Sequence, residues 1–94
     1  MGNNSFEFDL SKSAFLRQTR GIGFEEIISI IEDGGVLSVL PHPNQNKHPE
    51  QQIYILDVCG YVWMMPVVVK DNGVIRLITC YPSRKETKKY SVKE

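Results

Sequence analysis

The stretch from Gly23 to Leu40, GFEEIISIIEDGGVLSVL, decides the fold class because its apolar period changes partway along. Phe24, Ile27, Ile28 and Ile31 recur at i, i+3, i+4 and i+7, the stripe of an amphipathic helix. Glu25 and Glu26 fall in the first turn, where carboxylates favour the positive end of the helix dipole. Asp33-Gly34-Gly35 closes that helix, and Val36 to Leu40 then reads as a short strand. A helical period followed by a strand period places the chain among α+β folds.

Working back from Gly23, Asp9 is suited to cap a first helix, since its carboxylate can accept from the free amides of the opening turn. That helix runs from Leu10 to Thr19, with Ala14, Phe15 and Leu16 for contact, and Gly21 supplies a left-handed stop. Working forward, His42 to Pro49 is a polar loop. Ile53 to Val58 and Tyr61 to Val69 read as a hairpin around a tight Cys59-Gly60 turn. Pro66 has no amide to give a ladder, so it marks an edge position or a bulge. Asp71-Asn72-Gly73 is a second hairpin turn, because Asn and Gly tolerate positive φ. The last strand, Val74 to Tyr81, pairs back on Tyr61 to Val69, and Pro82 stops it. Ser83 and Glu86 have capping-box spacing ahead of a short basic helix through Tyr90. The prediction is a single domain over 1–94. It has two N-terminal helices, an antiparallel sheet of three to four strands, and a short basic C-terminal helix, with the helices on one sheet face.

The formal net charge is zero, yet it is unevenly spread: −3 over 1–34, −1 over 35–69 and +4 over 70–94. A basic end on a neutral chain attracts anions locally without making the whole surface adhesive to nucleic acid. Met1 to Glu7 contains no apolar signal core, and the longest apolar run, Tyr61 to Val69, carries a proline and is too short for a membrane span. A cytoplasmic protein with no membrane segment is expected. Cys59 and Cys80 lie in strand-like segments and are expected to be reduced and buried. With His42 and His48 they have no zinc-site spacing, so neither metal nor cofactor is expected.

The chemistry-bearing residues cluster late in the chain. Arg84 and Lys88, and likewise Lys85 and Lys89, are one helical turn apart, giving two adjacent cationic rows suited to a phosphodiester. The plainer alternative is the solvated face of a helix. His42 could exchange a proton near neutral pH, and Asn44 could bond a base edge or a ribose, unless the loop is simply surface. Tyr54, Tyr61 and Trp63 are either core or stacking residues. Arg76 is the single charge on its strand face, and it either pairs with a carboxylate or guards an anion site.

These residues, in order, resemble the BrnT family of toxins from toxin–antitoxin systems. The resemblance covers about residues 6–90. It begins with Phe6-Glu7-Phe8-Asp9 and Lys12. It continues through Gly21-Ile22-Gly23-Phe24-Glu25-Glu26 and His42-Pro43-Asn44, and ends with Ile75-Arg76-Leu77-Ile78-Thr79 and Tyr81-Pro82-Ser83-Arg84-Lys85. The chain departs from the family in its neutral charge, and in Tyr81 where many members carry an arginine. The resemblance implies a RelE-like fold and a metal-independent endoribonuclease in which the ribose 2′-hydroxyl attacks the neighbouring phosphate. It also implies a cognate antitoxin that binds DNA, of the ribbon-helix-helix kind among others, with RNA as substrate. By position, Arg84 and Lys85 would stabilise charge, Tyr90 would act as acid or base, and His42 would be a reserve base. Arg76, Tyr81, Ser83, Lys88, Lys89 and Asn44 would hold substrate. The alternative function is a non-catalytic module whose basic helix docks an acidic partner or a nucleic-acid backbone.

Overall fold

A computed structural model describes residues 5–41, 46, 47 and 50–90, and the chain is α+β with three helices and a mixed six-stranded open sheet among them. In chain order the elements are β1 (Phe6–Glu7), α1 (Leu10–Arg20), α2 (Phe24–Glu32), β2 (Val36–Pro41) and β3 (Gln51–Val58). There follow β4 (Tyr61–Val69), β5 (Ile75–Leu77), β6 (Tyr81–Pro82) and α3 (Arg84–Tyr90). The strand order is β1-β5-β4-β3-β2, with β6 also on β4. β1 runs parallel to β5, and the other pairs are antiparallel.

The helical pair forms as its sequence predicts at the ends and on the α2 stripe, and on α1 only at Leu16. Asp9 caps α1, its Oδ1 accepting from Ser11 N at 2.8 Å and Lys12 N at 3.3 Å, and Gly21 ends it at φ 81°. The expected contacts from Ala14 and Phe15 are not made: Ala14 is exposed and Phe15 is 60% exposed. Leu16 is buried as expected, and Ser13, one turn before it, is buried with it. In α2, Phe24 and Ile27 are fully buried and Ile28 and Ile31 half-buried.

The core lies between these helices and one sheet face. Leu16, Phe24 and Ile27 meet Leu56, Val58, Trp63, Met65, Val67, Ile75, Leu77 and Cys80. Fully burying an aliphatic or aromatic side chain contributes about 1.5–3 kcal/mol. Tyr54 and Tyr61 pack against the same cluster, so the strand aromatics are core residues. Ile55 and Val62 alternate with Leu56 and Trp63 and so project from the other face, where both are also fully buried.

Three expectations about the sheet need correction. It has six strands rather than three or four, and is mixed, because Phe6–Glu7 adds a parallel edge on β5. The last strand is not continuous: three steps along β4, from Val67 to Met64, are matched by four along the partner segment, from Leu77 to Tyr81. One extra residue in the 78–80 stretch shifts the pleat, so Cys80 turns into the core with Ile75 and Leu77 instead of opposite them. Pro66 sits inside the sheet opposite that irregularity. Its carbonyl accepts from Ile78 N at 3.1 Å, so its missing donor faces the stretch where the ladder is already broken. Pro82, expected to stop the strand, pairs with Trp63 as the end of β6. Cys59 is exposed, not buried, because it occupies the β3–β4 turn at φ 53°. No helix among the described residues is long and apolar enough to cross a membrane.

Candidate nucleic-acid interface

Helix α3 is seven residues long and divides cleanly. Thr87 is buried and Glu86 and Tyr90 are half-buried, while Arg84, Lys85, Lys88 and Lys89 are all exposed. At 3.6 residues per turn those four cations share one side of the helix. The inner side is fastened to β4 through the backbone of Val62: its N–H donates to Thr87 Oγ1 at 2.9 Å, and its carbonyl accepts from Ser83 N at 2.8 Å. Thr87 Oγ1 donates in turn to the Ser83 carbonyl at 2.7 Å. One strand residue therefore sets both the start of the helix and its rotation, and the cations point outward as a consequence.

The capping box closes by half. Ser83 Oγ accepts from Glu86 N at 3.2 Å, as an N-cap should. The reciprocal bond from the Glu86 carboxylate is pre-empted, since the Ser83 amide is already donated to Val62. Glu86 Oε1 is left buried with no hydrogen-bond partner among the described residues.

The expected site residues separate into three groups. Arg84, Lys85, Lys88 and Lys89 are brought together. Tyr81, Ser83 and Tyr90 are adjacent in the chain but half-buried, with Ser83 engaged as a cap and Tyr90 on the inner side of α3 beside Glu86. Arg76 is held elsewhere: its Nη1 lies 3.1 Å from Glu7 Oε2, and Lys70 Nζ reaches the same oxygen at 2.6 Å. Of its two readings, the carboxylate pair is the one present. Lys70 first and Arg76 second hold the Glu7 carboxyl below its ordinary value. His42 and Asn44 lie outside the described residues.

The described residues enclose no pocket. Among them no group of three or more His, Cys, Asp or Glu side chains is placed to hold a metal ion. Cys59 and Cys80 are both free thiols, and burial pushes the Cys80 thiol up to about 11, which keeps it protonated and unreactive.

Sequence reasoning missed Glu7 as the partner of Arg76 and Lys70, and Thr87 as the anchor of the basic helix. The Phe6 and Phe8 alternation around Glu7 was a usable strand signal. A threonine alone among charged residues was a usable sign of the buried side of α3. No known protein family, curated protein or solved structure matches the chain.

Proposed function

We propose that the chain is a metal-independent endoribonuclease, the toxin of a toxin–antitoxin pair, with α3 as its RNA surface. The observation that carries this reading is the outward set of Arg84, Lys85, Lys88 and Lys89 on a helix whose other side is pinned to Val62. A helix whose backbone is already fixed loses little backbone freedom on binding, and its exposed cations offer guanidinium and ammonium groups to successive phosphates.

In the reaction, a ribose 2′-oxygen forms a bond to the adjacent phosphorus and the bond from phosphorus to the 5′-oxygen breaks. The products are a 2′,3′-cyclic phosphate and a free 5′-hydroxyl. The 2′-hydroxyl proton goes to a base and the leaving oxygen takes one from an acid. Arg84 and Lys85 stabilise the extra charge on the phosphorane, and Lys88 and Lys89 hold the flanking backbone. Tyr90, half-buried on the inner side of α3, is the residue the resemblance assigns to proton transfer, and His42 is the reserve. An antitoxin that covers α3 blocks the reaction by occupying the same cations.

The test is expression of the chain and incubation with RNA in a translating extract. Wild-type protein arrests growth and cuts RNA. Arg84→Ala keeps its melting temperature and loses cleavage on the order of 100-fold, the usual effect of deleting one transition-state donor. A wild-type protein that binds RNA or an acidic protein without cutting supports the second reading, a non-catalytic binding module. That reading is favoured by one specific arrangement: Arg76, the expected clamp, is engaged by Glu7 and does not join the exposed cations of α3.

A further inference from the structure

Two cations share one carboxylate oxygen where β1 meets β5. Lys70 Nζ lies 2.6 Å and Arg76 Nη1 3.1 Å from Glu7 Oε2. The three side chains stay partly open to solvent, Lys70 at 43%, Arg76 at 42% and Glu7 at 36%. One carboxylate cannot balance two cations, so the cluster keeps a net positive charge. Only Nη1 of the Arg76 guanidinium is hydrogen-bonded among the described residues, and the rest of its fork of donors is unused. Asp71, the next carboxylate along the chain, is exposed in the turn after Lys70 and forms no ion pair with either cation. Nor does β1 depend on the cluster for its place. Ile75 N donates to the Ser5 carbonyl at 2.9 Å, and Phe6 packs against the core. Ion pairs this exposed are weak and exchange readily.

We propose that Lys70 and Arg76 form a second phosphate subsite for RNA, which Glu7 closes as an internal stand-in for the phosphodiester. The proposal rests on α3 being the RNA surface, and it adds the direction in which the strand runs. Arg76 is in register with Val68 of β4, whereas α3 is fastened at Val62 of the same strand. Those two positions are about 20 Å apart at the rise of a β-strand. Both have the same parity on a strand whose pairing with β3 is unbroken, so Arg76 lies on the Val62 side of the sheet. RNA anchored on α3 and laid along β4 brings a later phosphate to Arg76 at high local concentration, an advantage that free phosphate lacks. Guanidinium takes a carboxylate or a phosphodiester in the same two-pronged way. Exchange of one anion for the other therefore leaves neither cation unpaired, and the Glu7 carboxylate passes to solvent. The consequence is a preference for RNA long enough to reach from α3 to β5.

An amide-resolved NMR titration of the full chain tests this, using single-stranded 2′-O-methyl RNA long enough to span both sites, at several salt concentrations. In Glu7→Gln the Lys70 and Arg76 amides shift together with those of α3, and binding is tighter than in the wild type. The slope of log affinity against log salt steepens by about 0.7, the value of one added phosphate contact on a single strand. In a Lys70→Ala/Arg76→Ala chain the further change Glu7→Gln makes no difference. Asp71→Asn removes an equal charge nearby but frees neither cation, and it gives a smaller gain. An unchanged slope in Glu7→Gln overturns the proposal, as does a gain that survives the loss of both cations or one that Asp71→Asn matches. Failure of the α3 reading looks different: the α3 amides stay unmoved in every variant, while Lys70 and Arg76 still respond to RNA in Glu7→Gln.

Discussion

Ser13 belongs to α1 but serves α2. Gly23, at the N-cap of α2, has no side chain to offer the first amides, and Ser13 Oγ takes that place by accepting from Phe24 N at 2.9 Å. The same hydroxyl donates to Glu25 Oε1 at 2.6 Å, while Arg17 Nη2 reaches Glu25 and Glu26 at 2.8 and 2.9 Å. A Cβ at 23 would lie 2.8 Å from both Ser13 Oγ and Arg17 Nη2, so a larger residue there would displace the Ser13 hydroxyl and Arg17. Ser13→Ala leaves the buried Phe24 amide without an acceptor, and the expected cost is about 1–3 kcal/mol. For a domain of this size each kcal/mol is worth roughly 4–8 °C of melting temperature, so thermal denaturation measures it directly. An unchanged Tm would show that the hydroxyl is not the cap. None of this was legible in the sequence, where Ser13 looked like any polar residue in a helix. Substitution of one helix's cap by another helix's side chain is a tertiary event, and no local pattern records it.

At the scale of elements, the sequence signal was strong wherever one local interaction settles the conformation. Asp9, Gly21, Asn72 and Ser83 all do what their side chains or φ preferences dictate. Gly73 adopts φ 88°, and Asn72 Oδ1 accepts from Val74 N at 3.0 Å. The signal failed where pairing depends on a distant segment. The Phe6 and Phe8 alternation marks β1 as a strand but does not say which edge it joins, and that edge is β5. The break between β5 and β6 follows from an extra residue opposite Pro66, which alternation read from one end cannot anticipate. β1 also carries a pH dependence. Glu7 is held below its ordinary value of 4.5 by Lys70 and then Arg76. Glu25 is lowered by Ser13 first, then by its own amide and Arg17, and Glu26 by Arg17 and the Gly23 amide. Carboxyls lowered in the folded state contribute stability above their unfolded value, and it is lost as pH falls through the folded one. Melting temperature should therefore drop on acidification through about pH 4.5 and below. In Glu7→Gln the drop should be shallower, because one of the linked carboxyls is gone. Parallel wild-type and variant profiles would mean that the β1 tie does not titrate with folding.

For the whole molecule, the pinned α1–α2 pair and the continuous β3–β4 hairpin form a scaffold, and α3 hangs from it by the two polar groups of Val62. Of the candidate site, the four cations of α3 were legible because helical spacing alone puts them on one side. The fate of Arg76 was not, since Glu7 is far away in the chain and near only in the folded sheet. The central claim is that RNA lies along the outer side of α3. The most direct measurement is an amide-resolved NMR titration of the full chain with a short 2′-O-methyl RNA, which can bind but has no 2′-hydroxyl to attack. Shifts concentrated on Arg84 to Lys89, with Tyr81, Ser83 and Tyr90 at their margin, are the predicted result. Shifts confined to α1, α2 or β2, with α3 unmoved at saturation, would contradict it.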